Sequence, residues 1–209
     1  MVFTAGSPGS GKTFMMEKLF GLQSFTSYLD LDSVIRHHPK FQHVIDQSKT
    51  KNSACVYDNN EIYTWADAEL ERRFKSIVSS GGLNNFDGGK DQLLITKTPL
   101  LNPSPLICVD GTGTNIPRTR RRMKYAKEAG FHIVCVYVKV SLETCLMRNS
   151  LRARKVPKAT IESYINELDF AVNAVVNEAS PDFGHPLVDE FIEIDNENEE
   201  AVANKNGDD

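Results

Sequence analysis

The amino-acid sequence predicts an α/β domain of three layers, in which a mostly parallel sheet of about five strands lies between helices. Two observations support this prediction. Short apolar runs alternate along the chain with stretches of helical periodicity, and several of the runs are apolar throughout instead of alternating with polar residues. Strands of that kind belong to parallel sheets that are covered by helices on both faces.

Each apolar run predicts a strand, and each periodic stretch between two runs predicts a helix. Helical periodicity predicts helices between the apolar runs, with Thr64 and Ser141 as expected N-caps and Pro117 in a first turn. The predicted helices span 12–22, 64–80, 117–130, 141–152 and 160–178. The predicted strands are VFTA (2–5), SYLDLD (27–32), PLICVDGTG (105–113, with its turn), FHIVCVYVKV (131–140) and EFIEI (190–194).

The length of 209 residues suits one compact domain. We expect this domain to cover 1–195, with a helix and an insertion at about 50–105, where QLLIT (92–96) could add a strand or a hairpin arm. Residues 196–209 are rich in acidic side chains and have no aromatic ones, so we expect a disordered tail there.

Composition favours a soluble protein of the cytoplasm. The formal net charge of −4 provides no overall field that would attract a polyanion. Cys55, Cys108, Cys135 and Cys145 lack the spacing of metal ligands, and we expect buried, reduced thiols. The sequence has no signal peptide and no apolar run long enough to span a bilayer, so no membrane partner is expected.

The motif GSPGSGKT carries the strongest functional signal. It follows the first predicted strand and precedes the first predicted helix, as in a P-loop. The backbone N–H groups of such a loop bind the phosphates of ATP, the lysine reaches the β- and γ-phosphates, and the threonine hydroxyl ligates Mg²⁺. The predicted cofactors are therefore ATP and Mg²⁺, bound by Gly6, Ser7, Pro8, Gly9, Ser10, Gly11, Lys12 and Thr13.

Acidic residues follow the second predicted strand, at the sheet edge where α/β proteins bind ligands. Asp32 is the candidate general base that would accept the proton of an attacking hydroxyl. Asp30 is a candidate for substrate contact. The alternative is that one of the two caps the following helix, which is a common function of aspartate.

A second acidic strand end is ICVDGTGTN. Asp110 could hold Mg²⁺ through water or bond the acceptor, and Gly111 would let the backbone approach a ligand closely. The alternative is a plain turn after a buried strand.

Three arginines lie in and just after the helix at 141–152. Arg148, Arg152 and Arg154 would cover the transferring phosphoryl group, neutralise its charge and exclude water. Basic side chains at a helix C-terminus also interact favourably with the helix dipole, and this alternative stays open for each of them.

With these motifs in the same order, the sequence resembles the zeta-toxin family of P-loop kinases and, more distantly, polynucleotide kinases. The resemblance covers about residues 2–165 and depends on LDLDSVIRHHPKF, VDGTG and RARKVPK behind the phosphate loop. It implies a P-loop NTPase fold of the kinase type. Zeta toxins transfer phosphate from ATP to a sugar hydroxyl of UDP-N-acetylglucosamine, which implies an acceptor of that kind.

The resemblance also implies roles for single residues. Asp32 would be the base, Arg148 and Arg154 would flank the phosphates, and Asp110 with Thr112 would contact the acceptor or the metal. Two departures from the family accompany it: the toxins usually have Glu at the position of Asp110, and this sequence begins directly at the first strand. The second departure argues against an antitoxin partner.

The helix PRTRRRMKYAKEAG suggests a different acceptor. Its basic side chains could bind a nucleic-acid backbone, so that the acceptor would be a DNA 5′-hydroxyl or a hydroxymethyl pyrimidine, as in phage-type DNA kinases. Alternatively, these charges form a solvated face, with Met123 and Ala126 packed inward. Arg36, Arg118 and Arg121 complete the candidates for substrate contact. A regulatory P-loop ATPase that transfers no phosphate is the third hypothesis.

Overall fold

The computed structural model describes residues 1–40, 60–81, 105–152, 155–177 and 186–197. The predicted strand or hairpin arm at 92–96 lies outside these residues, as does Cys55. Within the described part of the chain no helix is long and apolar enough to cross a membrane.

Five parallel strands form a single sheet, as the sequence predicted. Their order across the sheet is β2-β3-β1-β4-β5, so the first strand lies in the centre. All five carboxyl ends therefore reach the same edge of the sheet. The strands are Val2–Ala5 (β1), Ser27–Leu29 (β2), Ile107–Val109 (β3), Val134–Lys139 (β4) and Glu190–Asp195 (β5).

Six α-helices connect the strands in the described residues. Ser141 caps the fifth helix by accepting a hydrogen bond from the backbone N–H of Thr144, and Pro117 lies in the first turn of the fourth, both as predicted. The helices are Lys12–Phe20 (α1), Leu31–Arg36 (α2), Asn60–Ser79 (α3), Ile116–Glu128 (α4), Leu142–Ser150 (α5) and Lys158–Val176 (α6).

The predicted start of α3 is wrong. The helix begins at Asn60, so Thr64 lies inside it and is not its N-cap. The physical reason is that the buried face extends one turn further back: Ile62 is fully buried and lies four residues before Ala66, on the same face.

Helices cover both faces of the sheet, which confirms the three-layer arrangement. On one face Phe3 and Val109 pack in a large core with residues of α2, α3, α4 and α6. On the other face Val2 and Val136 pack with Met16 of α1. Successive strand residues point to opposite faces, which explains why the strands are apolar throughout.

The first two residues of the expected tail make contacts with the rest of the domain, while the predicted domain boundary at 195 stays a prediction. Asn196 is only 2% exposed and Glu197 bonds to the start of α5. The acidic composition of 196–209 predicted disorder, but tertiary hydrogen bonds hold its first two residues. The remainder of the tail lies outside the described residues. Cys108, Cys135 and Cys145 are buried free thiols, as expected.

Candidate active site

The glycine-rich loop joins the carboxyl end of β1 to the first residue of α1. Gly9 has a φ angle of +90°, and a Cβ atom there would lie 2.6 Å from the carbonyl oxygen of Cys145 in α5. Only glycine fits this position, because both the backbone angle and the close approach of α5 exclude a side chain. The loop therefore turns tightly into the N-terminus of α1, where backbone N–H groups can bind an anion.

Lys12 lies across this loop. Its Nζ atom donates hydrogen bonds to the carbonyl oxygens of the first two loop residues, at 2.9 and 3.2 Å. Burial lowers the pKa of the ammonium group; Asp110 opposes this change, Arg152 adds to it and Asp32 opposes it more weakly. Since the charges of all three act on Lys12, these side chains lie in the neighbourhood of the loop lysine.

Asp110 follows β3 and is held by hydroxyl groups of three other elements. Thr4 Oγ1 in β1 donates to its Oδ1 atom at 2.7 Å, Tyr28 Oη in β2 donates to Oδ2 at 2.7 Å, and Thr13 Oγ1 in α1 donates to Oδ2 at 3.3 Å. Burial raises the pKa of Tyr28, and the neighbouring carboxylate raises it further, so the phenol stays a hydrogen-bond donor. The carboxylate is therefore fixed beside the threonine of the phosphate loop.

The Gly-Thr-Gly turn after Asp110 packs against the phosphate loop. The N–H of Gly6 donates to the carbonyl oxygen of Thr112 at 3.0 Å. Gly113 has a φ angle of +79°, and a Cβ atom there would lie 2.7 Å from that of Ala5. The N–H of Gly111 donates a hydrogen bond to the hydroxyl group of Thr4 in β1, at 2.9 Å. A Cβ atom on Gly111 would meet no atom within 4 Å. The turn thus helps to position the loop, and its predicted contact with an acceptor stays a prediction.

The two aspartates after β2 have different surroundings. Asp30 is the N-cap of α2: it accepts hydrogen bonds from the N–H of Ser33 at 2.7 Å and from its hydroxyl at 2.6 Å. Burial raises the pKa of Asp30, although these hydrogen bonds oppose the change. Asp32, in the first turn, has its Oδ2 atom 3.9 Å from Nη2 of Arg152. Arg36 is exposed in the last turn of α2, one turn beyond Asp32.

The candidate arginines differ in exposure. Arg148 is 9% exposed and its Nη2 atom donates to the carbonyl oxygen of Asn196 at 2.8 Å. Arg152 is about 41% exposed in its side chain and faces Asp32 across the site. Arg154 lies outside the described residues. Arg152 is therefore the candidate arginine for which the described residues show a contact with the candidate base.

The basic helix α4 directs two of its arginines toward α3. Both terminal nitrogens of Arg118 pair with the carboxylate of Asp67, at 2.7 and 2.8 Å. Arg122 is 7% exposed and its Nε atom bonds to Glu71 at 2.8 Å. Arg121 is more exposed, with a longer ion pair of 3.8 Å to the same glutamate. As in the alternative interpretation of this helix, Met123 and Ala126 are buried, but two charges are paired with α3 and not simply solvated.

Four residues of the site were missed by the sequence analysis. Thr4 and Tyr28 hold Asp110, while Asn196 and Glu197 fix the loop and the start of α5. A usable signal existed for Thr4, since it is the polar residue in the otherwise apolar run VFTA. No local signal marks Asn196, because its partners are far away in the sequence.

The residues present fit a magnesium-bound nucleotide. Thr13 and Asp110 offer oxygen atoms side by side next to the anion-binding loop, and oxygen is the ligand that Mg²⁺ prefers. No group of three or more His, Cys, Asp or Glu side chains in the described residues could hold a metal ion unaided. A P-loop site does not need one, because phosphate oxygens and water complete the coordination.

The fold is a P-loop fold of the kinase type. Three features define it: the first strand lies in the centre of the sheet, a glycine-rich loop follows that strand, and helices cover both faces. No protein-family model matches the chain, and no curated protein matches it in sequence. A solved structure from Chloroflexus aurantiacus, to which a kinase activity is ascribed, is similar with a TM-score of 0.51 at 14% identity, over 94% of this chain and 87% of that one.

Two further solved structures show weaker similarity. A chain of the PezAT chromosomal toxin–antitoxin system of Streptococcus pneumoniae gives a TM-score of 0.45 at 16% identity, over 84% of this chain and 58% of that one. Shikimate kinase of Acinetobacter baumannii, solved with shikimate, gives 0.46 at 13% identity, over 96% of this chain and 84% of that one.

Proposed function

We propose that this protein is an ATP- and Mg²⁺-dependent kinase that transfers the γ-phosphoryl group to a hydroxyl group of a nucleotide-type acceptor. One observation carries this proposal: the loop lysine, the Thr13–Asp110 pair and the Asp32–Arg152 pair converge at one edge of the sheet. A P-loop alone is equally consistent with an ATPase. The second acidic residue, opposite an arginine, is the additional feature that a phosphotransferase needs.

The chemistry follows from the positions of these groups. Asp32 would accept the proton of the acceptor hydroxyl, whose oxygen forms a bond to the γ-phosphorus as the bond to the β–γ bridging oxygen breaks and ADP leaves. Lys12 and Arg152 would stabilise the negative charge on the transferring group. Magnesium, held through Thr13 and Asp110, would offset the charge of the β- and γ-phosphates.

Arg152 has a second effect in this scheme. In the structure its guanidinium group faces the candidate base, with Nη2 3.9 Å from Oδ2 of Asp32, so the two side chains are paired. Movement of Arg152 toward the γ-phosphate of bound ATP would free Asp32 to accept a proton. The base would then act only when the phosphate donor is present, which limits nonproductive hydrolysis.

We propose a sugar nucleotide such as UDP-N-acetylglucosamine as the first acceptor to test. Its support is the sequence resemblance to zeta toxins in LDLDSVIRHHPKF and VDGTG. Asp110 is one carbon shorter than the usual glutamate of that family, but hydroxyl groups of β1 and β2 hold it at the loop. The DNA acceptor is the weaker alternative, because Arg118 and Arg122 of the basic helix are engaged by acidic residues of α3.

A transfer assay with ATP labelled in the γ-phosphate tests this proposal. UDP-N-acetylglucosamine, 5′-hydroxyl oligonucleotides, and DNA with and without hydroxymethyl pyrimidines are offered in parallel, with the Lys12→Ala variant as the blank. We expect label on the sugar nucleotide. Label on DNA alone would replace the sugar nucleotide by the alternative acceptor, and its position would distinguish a chain end from a base.

A further inference from the structure

Asn196 is the first residue after β5, and it connects the end of that strand to the phosphate loop. Its side chain is nearly inaccessible, with 2% exposure. Its Nδ2 atom donates to the carbonyl oxygen of Ser10 at 2.8 Å, while its own backbone N–H donates to the carbonyl oxygen of Lys139 in β4 at 3.0 Å. The backbone of Asn196 is therefore bonded to the sheet, and its side-chain amide is bonded to the phosphate loop.

The contact with the loop is close. A Cβ atom on Gly11 would lie 2.5 Å from Nδ2 of Asn196, so the amide packs directly against the backbone of the residue before Lys12. The main-chain carbonyl oxygen of Asn196 also accepts a hydrogen bond from Nη2 of Arg148, at 2.8 Å. One residue thus contacts the last part of the phosphate loop and a candidate phosphate-binding arginine.

The hydrogen bond from Nδ2 of Asn196 to the carbonyl oxygen of Ser10 restrains the direction of a backbone N–H group. The peptide between Ser10 and Gly11 is planar and trans, so its N–H points opposite to its carbonyl oxygen. Because the amide of Asn196 holds the carbonyl oxygen of Ser10, the N–H of Gly11 points away from Asn196. Backbone N–H groups of such loops are the groups that bind phosphate, and their direction decides how well the loop binds.

We infer that Asn196 is a positioning residue for the nucleotide: it fixes the Ser10–Gly11 peptide in the orientation that binds phosphate. The inference rests on the proposed function, since it assumes that the loop binds the phosphates of ATP. Asn196 acts through the loop and does not itself touch the reacting groups. A side chain that only filled space would need no amide nitrogen at this position.

Calorimetric titration of the full-length chain with ATP, ADP and inorganic pyrophosphate, each with Mg²⁺, tests this inference. Asn196→Ala is compared with Asn177→Ala, which removes an amide after α6, away from the loop. We expect Asn196→Ala to lower the affinity for all three ligands by roughly tenfold, because one hydrogen bond and the loop orientation that it fixes are lost. The control variant should bind all three ligands with wild-type affinity. Unchanged pyrophosphate affinity in a folded Asn196→Ala variant would overturn the inference.

A second variant keeps the size of the side chain and gives a readout that packing alone would not move. In Asn196→Asp the carboxylate faces the carbonyl oxygen of Ser10 and repels it, whereas the protonated form can donate a hydrogen bond to it. We expect the ratio of wild-type to variant pyrophosphate affinity to be large at pH 8 and to shrink toward pH 5. A ratio that does not change with pH would contradict the assigned role.

The outcomes separate this inference from the proposed function. A wild-type protein that binds neither ATP nor pyrophosphate would overturn both. A wild-type protein that binds them, with an Asn196→Asp variant that binds them equally well at every pH, would overturn the role of Asn196 alone.

Discussion

The hydroxyl group of Thr13 lies 3.3 Å from Oδ2 of Asp110, although the two residues are 97 positions apart in the chain. Thr13 is the second residue of α1, behind the phosphate loop, and Asp110 directly follows the strand β3 next to β1. Parallel strands bring their carboxyl ends to one edge of a sheet, so this contact is a direct consequence of the topology. It joins the candidate metal ligands into one site.

Removal of the Thr13 hydroxyl should weaken magnesium-dependent nucleotide binding. We expect Thr13→Ala to raise the Mg²⁺ concentration needed for half-maximal ATP binding by about tenfold, because one oxygen ligand is lost. Titration of ATP affinity against Mg²⁺ measures this effect. Thr26→Ala is the matched control, since Thr26 precedes β2 at the opposite edge of the sheet. An equal response of the two variants would exclude Thr13 as a ligand.

Lys12 should be needed for transfer but not for folding. We expect Lys12→Ala to lower the turnover of phosphoryl transfer by at least about 10²-fold, because a positive charge at the developing negative charge is lost. Circular dichroism should show an unchanged fold, since the ammonium group bonds only to carbonyl oxygens of its own loop in the described structure. Lys18→Ala on the same helix serves as the control. Wild-type turnover in Lys12→Ala would overturn the site.

The two aspartates after β2 should separate into a chemical and a structural role. Asp32→Asn should lower turnover by about 10²-fold or more with nearly unchanged ATP affinity, because a general base is lost. Asp30→Ala should instead lower the free energy of unfolding by about 1 kcal/mol, the usual effect of removing an N-cap. Steady-state kinetics and urea unfolding measure the two effects. A loss below tenfold in Asp32→Asn would remove the base role from that residue.

Glu197 should make stability depend on acid pH. The Thr144 hydroxyl, and then the N–H and hydroxyl of Ser141, donate hydrogen bonds to its carboxylate and lower its pKa from 4.5 to about 2. A carboxyl group with a lowered pKa in the folded state stabilises the fold above its unfolded pKa, and this contribution is lost as pH falls from 4.5 toward 2. We therefore expect wild type to lose more stability over this range than Glu197→Gln.

Urea unfolding at several pH values between 6 and 2.5 measures this difference. Glu193→Gln, which changes a carboxylate of β5 with a 3.8 Å contact to Lys139, is the matched control and should keep the wild-type slope. Parallel pH dependence of wild type and Glu197→Gln would show that the hydrogen bonds to the start of α5 do not persist in solution.

Local sequence signals predicted the fold correctly, and they pointed to the residues that the structure brings together around the phosphate loop. Continuous apolar runs predicted the parallel sheet, and the motif GSPGSGKT predicted a turn between β1 and α1. Asp110 could be placed near the loop because it directly follows a strand of the same sheet. In each of these cases the determining interactions are local or follow from strand direction alone.

The features that could not be predicted are interactions between distant segments. Composition predicted a disordered tail from residue 196, but Asn196 is buried by its bonds to the loop and to β4. The charge of the helix at 117–130 suggested a nucleic-acid surface, which stays a prediction, but it did not reveal that Arg118 pairs with Asp67, which lies 51 positions away in the chain. Neither partner can be identified from the spacing of residues in a single sequence.

The most direct test of the proposed function is the ratio of free phosphate to ADP that the wild-type protein forms from ATP and Mg²⁺. The measurement is made with and without a cell extract that contains small molecules and nucleic acids, and with Lys12→Ala as the blank. A kinase should form ADP only when the extract is present, with far less than one free phosphate for each ADP. One free phosphate for each ADP, at the same rate with and without the extract, would contradict the proposal and identify an ATPase.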